Sequence, residues 1–382
     1  MDVISILRDL AGRLTKMKPA DAEAITPLLE WIKAGGFESL ENPVLDYLDA
    51  KRIELPPTPK IFYKYLQGPV DLTRHVSSKY NKDILVMGDE HVLGGKPCSV
   101  NSRETITLNS FLGYNILSTG KTVDVYLEID YITSFFQGRA PLLESYLKDA
   151  AAHFSGCLTY TKTACQYSNA RVHYTDSRFV SDAFTQLWLA LKLAVEPGKQ
   201  EQGYTSLKYV LETARPELKT LLADAKSVQN WFDTIMHKTR IEKQIRNIKD
   251  EHIRSFFTRA LENEMSYLVT NRFGGLTYDK LMQAATEKKA DGIVAAWGNL
   301  LYTSVTYMDL YLMARVFRSF RQVAGKRSED PQRIIIYAGY LHADRYRKYL
   351  NTLGSFATTY TAKKTDVFQC LDISTLPLPL YD

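Results

Sequence analysis

Residues 83–91 read Asp-Ile-Leu-Val-Met-Gly-Asp-Glu-His, an apolar run of strand length that ends in a glycine and three ionisable side chains. Three further runs repeat the design: TVDVYLEID at 122–130, NARVHYTD at 169–176, and RIIIYAG at 333–339, which leads into Tyr340-Leu341-His342. Short runs rich in β-branched and aromatic residues have the length and composition of buried strands. Helical periodicity lies between them, and strands separated by helices predict an α/β fold: a mostly parallel sheet flanked by helices.

Outward from these strands the pattern changes twice. Val3, Ile6, Leu7, Leu10 and Leu14 mark one apolar helical face and Ile25, Leu28, Leu29 and Ile32 another, so 1–55 is expected to be an N-terminal helical bundle, closed off by the proline-rich 55–59. Between the third and fourth strands, residues 181–330 are helical by periodicity, with Phe232, Ile235, Ile245, Ile248, Phe256 and Leu261 near one stripe. The expected layout is therefore the bundle, a first part of the α/β core at 56–180, a helical insertion or cap at 181–330, and the last part of the core with a C-terminal tail at 331–382. The most apolar stretch, Ile293 to Phe317, is interrupted by Asn299, Asp309 and Arg315, which favours an internal helix over a membrane span.

Composition narrows the class. Of 382 residues 45% are hydrophobic and 24% charged, which excludes a disordered or low-complexity chain. Lys plus Arg exceed Asp plus Glu by 48 to 43, too small an excess to imply nucleic acid. Cys98, Cys157, Cys165 and Cys370 form no C-x-x-C pair and are too scattered to suggest a disulfide framework, so a reducing compartment is expected. Asp2, Arg8, Asp9 and Arg13 interrupt any signal-peptide core, and the chain is read as soluble and cytoplasmic.

In open α/β sheets ligands bind beyond the carboxyl ends of the strands, so the polar strand tips carry functional weight. These are Glu90 and His91 after the first strand, Glu128 and Asp130 at the second, His173, Asp176 and Arg178 at the third, and His342 after the fourth. Glycine ahead of two of the histidines is expected to let the chain turn sharply out of its strand. Imidazole and carboxylate together suit a divalent metal such as zinc, manganese or iron, with His91, Glu128 and His342 as ligands and an open position for water. Glu90 would take the proton from that water, and Arg178 would stabilise an oxyanion. Asp130, His173, Asp176, Asp309 and Arg315 are expected to support these groups from behind, the last two from the apolar helix. Cys98, seven residues after His91, is read as an inert thiol rather than a nucleophile.

The order GDEH (88–91), YLEID (126–130), DSR (176–178) and GYLHADRYRKYLNTLG (339–354) resembles the superfamily containing erythromycin esterase, TraB, Tiki and ChaN. The resemblance covers roughly 83–178 and 333–356 and implies a compact α/β core in which glycine-histidine motifs and a strand-end glutamate form the active centre, metal-dependent in some members and histidine-based in others. Carried onto this chain it implies His91, Glu128, Arg178 and His342, with Glu90 as an extra acid. Erythromycin esterases have the glutamate directly after glycine, where this chain has Asp89. GDEH, VHYTDSR, YMDLYLMARVF and CLDISTLPLPLYD are also similar, more loosely, to uncharacterised proteins of large DNA viruses. The expected function is hydrolysis of an ester, amide or peptide bond in a small molecule or peptide. The alternative is a catalytically inactive virus-encoded structural protein in the host cytoplasm or virion, binding protein partners through the bundle and the helical insertion.

Overall fold

The computed structural model describes residues 63–90, 98, 104–130, 146–157, 165–167, 169–176, 182–235, 238–320 and 329–381. The bundle expected at 1–55, and the expected site residues His91 and Arg178, lie outside the described residues.

In chain order the elements are β1 (Tyr65–Gln67), β2 (Asp71–Ser77), β3 (Lys82–Asp89), β4 (Thr105–Thr107), α1 (Leu108–Leu117), β5 (Val123–Asp130), α2 (Tyr146–His153) and β6 (Ala170–Asp176). A helical region follows: α3 (Asp182–Val195), α4 (Gln200–Thr213), α5 (Arg215–Leu221), α6 (Ala225–Ile235), α7 (Lys238–Arg246), α8 (Glu251–Asn271), α9 (Tyr278–Glu287) and α10 (Ala290–Phe317). The chain then returns through β7 (Arg333–Gly339), α11 (Tyr340–Thr352), β8 (Ala357–Thr361), β9 (Lys363–Lys364) and β10 (Cys370–Asp372).

The expected α/β class holds. The main sheet has the order β6-β5-β7-β3-β2-β8. The four strands read from the sequence are mutually parallel, with β5 beside both β6 and β7, and β7 beside β3. Two antiparallel strands that the sequence reading did not single out, β2 and β8, extend the β3 side. A small second sheet has the order β4-β1-β10-β9.

Side chains alternate across a strand, and here each face of the sheet serves its own core. Ile84, Val86, Tyr126, Ile334 and Ile336 pack with the helical region, including Leu187, Leu191, Tyr307 and Met313. Leu85, Met87, Val125, Leu127, Ile335 and Tyr337 pack instead with Phe111, Leu112 and Ile116 of α1 and with Leu376, Leu380 and Tyr381 of the tail. Burial on both faces is why these strands read as unbroken apolar runs. It also fixes parity: Glu128 shares its face of β5 with Tyr126, the face that α10 covers.

The apolar α10 is buried along most of its length, as expected for a central helix, and it ends where Arg318 turns to an extended conformation. Among the described residues no helix is long and apolar enough to cross a membrane.

Two expectations are corrected. Gly88 does not turn the chain: it lies within β3, and a Cβ there would stand 2.5 Å from Asp71 Oδ1 and 3.2 Å from the Tyr340 Cα. Its role is to admit the Asp71 carboxylate, itself paired with Arg347, and the start of α11. The cysteines, expected to be unpaired, form Cys98–Cys370 and Cys157–Cys165. No thiol is left free. Cys98 and Cys370 are 272 residues apart in sequence, a proximity created only by the fold. With every cysteine paired, the ground for expecting a reducing compartment is withdrawn, because such bonds persist mainly in oxidising ones.

Two outcomes follow from this packing. Tyr381 is buried and donates its hydroxyl to the Ile334 carbonyl at 3.0 Å, pinning the tail under the sheet. Tyr381→Ala should cost about 3–5 kcal/mol in urea denaturation, and Tyr381→Phe about 1 kcal/mol. Thiol titration of the folded, unreduced protein should find no free cysteine, and reduction should lower stability by about 2–5 kcal/mol.

Candidate functional site

Strand β7 passes into α11 without a loop: Gly339 ends the strand and caps the helix, so His342 sits in the first turn of α11 at the carboxyl edge of the sheet. Glu128, near the end of neighbouring β5, points to the same face. Its Oε2 accepts the Gly339 N–H at 2.5 Å, a carboxylate at a helix N-terminus where unpaired N–H groups and the helix dipole favour negative charge. Its Oε1 lies 3.1 Å from His342 Nε2.

The other ring nitrogen of His342 meets Asp309 of α10: Nδ1 and Oδ1 are 2.6 Å apart. Asp309 is fully buried, and its Oδ2 lies 2.6 Å from Arg345 Nε, close as an ion pair though out of line for a hydrogen bond. Arg345 also donates to Thr306 Oγ1 at 3.0 Å and lies 5.4 Å from the centroid of the Tyr302 ring. Positions 302, 306 and 309 fall on one stripe of α10, which presents them together to α11.

The result is a continuous chain, Glu128–His342–Asp309–Arg345, in which two carboxylates alternate with two cations. Burial by itself would drive the imidazole toward its neutral form. The carboxylates of Glu128 and Asp309 outweigh it and raise its pKa from 6.5 to about 10. At neutral pH His342 is therefore an imidazolium ion held between two carboxylates.

Of the expected site residues, the structure brings Glu128, His342 and Asp309 together. Asp176 ends β6 and is buried, in register with Asp130 at the end of β5. Glu90 follows β3 and is exposed. His173 and Arg315 are placed elsewhere, which corrects the expectation that they support this centre. His173 is not at a strand tip but in mid-strand beside Tyr126, and its Nε2 lies 2.8 Å from Asp124 Oδ1 near the amino end of β5. Arg315 donates to the other nitrogen of His173, Nδ1, at 2.9 Å. An arginine can only donate, so Nδ1 accepts and Nε2–H donates to Asp124: this ring is neutral. Burial, with the repulsion of Arg315 and Arg171 added, lowers its pKa to about 4 although Asp124 opposes the shift.

The sequence reading missed Arg345 and Asp89. Arg345 stands three residues after His342 in LHADR, the helical spacing that places two side chains on one face, and that signal was available. Asp89 accepts the buried Tyr337 hydroxyl at 2.6 Å on the opposite face of the sheet.

Of the three metal ligands expected, Glu128 and His342 are adjacent and His91 lies outside the described residues. Among the described residues no group of three His, Cys, Asp or Glu could hold a metal ion. The donor chemistry here suits a proton rather than a metal, because both nitrogens of His342 are directed at carboxylates. Compared with protein-family models, with curated proteins and with solved structures, the chain matches none.

The raised pKa has a sign that can be tested. Between about pH 6.5 and 10 the folded state holds a proton that the unfolded state releases, so this stabilisation is complete below pH 6.5 and is lost as pH rises through 10. Stability should fall across that window by at most about 1.4 kcal/mol per pH unit. His342→Gln should flatten the slope, which denaturation at a series of pH values would measure.

Proposed function

We propose that the chain is a hydrolase acting on an ester, amide or peptide bond, with Glu128 and His342 as its reacting groups. The observation that carries the reading is the 3.1 Å contact between Glu128 Oε1 and His342 Nε2 at the carboxyl edge of the sheet, where α/β folds bind ligands. It joins two separate motifs of the esterase-like resemblance, YLEID and GYLH.

In this reading Glu128 accepts a proton from water as its oxygen bonds to the substrate carbonyl carbon. The His342 imidazolium gives its Nε2 proton to the leaving group as the old acyl bond breaks. Glu128 has gained one proton and His342 has lost one, and their direct contact returns it. Asp309 holds Nδ1 and so fixes the ring's orientation, and Arg345 balances the charge of Asp309. The resemblance adds His91 and Arg178 to the same centre, Arg178 as the group that would meet a developing oxyanion, and Glu90 stands as an extra acid specific to this chain. No step runs through a metal, since both nitrogens of His342 are directed at carboxylates.

A panel of activated esters, an amide and short peptides tests the reading. The wild type should turn over at least one of them, and Glu128→Gln, assayed where circular dichroism shows it folded, should lower the rate by about 10²–10⁴-fold. A chelator should leave the rate unchanged. Loss of activity restored by zinc, manganese or iron would instead favour the metal-bound form. Folded wild-type protein inert on the whole panel would contradict the hydrolase and favour the alternative, a virus-encoded structural protein that keeps the scaffold and binds protein partners.

A further inference from the structure

At the amino edge of the sheet, on the face that carries Glu128, a second charged cluster is out of balance. Arg171 grips Asp124 with two bonds, Nε to Oδ1 at 2.8 Å and Nη2 to Oδ2 at 2.6 Å, and so takes up the Asp124 carboxylate. His173 adds no charge, for the tautomeric reason given above. Arg315 and Arg318, from the end of α10, bring two more guanidinium groups.

Neither of these finds an anion among the described residues. Arg315 donates to the Tyr311 hydroxyl at 3.0 Å and to His173 Nδ1, and Arg318 donates to the Gln244 side-chain oxygen at 2.5 Å, all neutral acceptors. Both Nε atoms are buried with no hydrogen-bond partner. The nearby acids are engaged: Asp330 by Lys249, Ser319 and the Phe320 N–H, and Glu329 by Thr122.

The cations are drawn together by a shared ring. The guanidinium carbons of Arg171 and Arg318 lie 4.6 and 4.5 Å from the centroid of Phe320. Burial lowers the pKa of Arg318, and repulsion from Arg315 and Arg171 adds to that shift. Like charges held this close in a half-buried setting stabilise the fold only when a counter-charge joins them. Guanidinium is the group whose planar fork matches the oxygens of phosphate.

We propose that Arg315 and Arg318 form a binding site for a phosphate-type oxyanion, at the edge of the sheet opposite the Glu128–His342 pair. Inorganic phosphate and a phosphate monoester share this chemistry. The site's fit to an attached organic group separates them.

The test is calorimetric titration of the full chain with inorganic phosphate and with phenyl phosphate, at constant ionic strength and with chloride as control. Saturable binding is expected with a Kd of about 1 mM or tighter. Arg318→Gln, which removes the charge, should weaken it about tenfold or more. Arg318→Lys, which keeps the charge without the fork, should fall between. Tighter binding of phenyl phosphate would identify a monoester as the ligand, and equal binding would identify the free ion. Glu128→Gln should leave the affinity unchanged, so the outcome is independent of the hydrolase reading. If Arg318→Gln unfolds, the Arg318→Lys comparison decides. No saturation by either ligand up to about 20 mM, or binding unaffected by folded Arg318 variants, would overturn the proposal.

Discussion

Two buried carboxylates, a buried imidazole and a half-buried guanidinium lie in contact at the carboxyl edge of the sheet, and the carboxylates hold the imidazole in its charged form. Glu128 comes from β5, Asp309 from α10, and His342 and Arg345 from α11, so the chain of charges ties the strand and both helices to one geometry. Removing one member would strand an uncompensated charge, a loss on the order of 3–5 kcal/mol. The placement of α10 across the sheet therefore depends on electrostatics as well as on its apolar surface.

The two buried histidines on this face show how neighbours decide protonation. His342 meets an acceptor at each nitrogen and holds both protons. His173 meets one acceptor, Asp124, and one donor, Arg315, and is neutral. Burial acts in the same direction on both, so the difference lies in the partners. The carboxyl edge thus holds a neutral set of charges with a proton to share, while at the amino edge Arg315 and Arg318 meet only neutral acceptors among the described residues. These are different chemical tasks on one face of one sheet.

The strands were legible because a parallel sheet buried on both faces leaves near-continuous apolar runs, and all four runs occupy neighbouring positions. Glu128 and His342 were legible because strand tips are where such sheets place chemistry. Parity was harder to read: a run buried on both faces does not reveal which residues face which core, so Asp309 and Arg315, close together on one helix, looked alike although they serve opposite edges. His173 was misplaced because β6 continues to Asp176. The disulfides were invisible for a different reason, since the 272 residues between Cys98 and Cys370 carry no local signal of their contact. Strand β8 went unread because ATTYT is an exposed edge strand rich in polar residues, and β2 because DLTRHVS buries the polar Thr73, His75 and Ser77 and so lacks an apolar run.

The central claim is that His342 is an imidazolium ion locked between Glu128 and Asp309. Long-range proton–nitrogen correlation spectra of the histidine rings in the folded protein at pH 7.5, assigned with His342→Gln, report this directly. Both ring nitrogens of His342 should carry protons, while His173 should show a single protonated nitrogen. A neutral His342 at that pH would contradict the account.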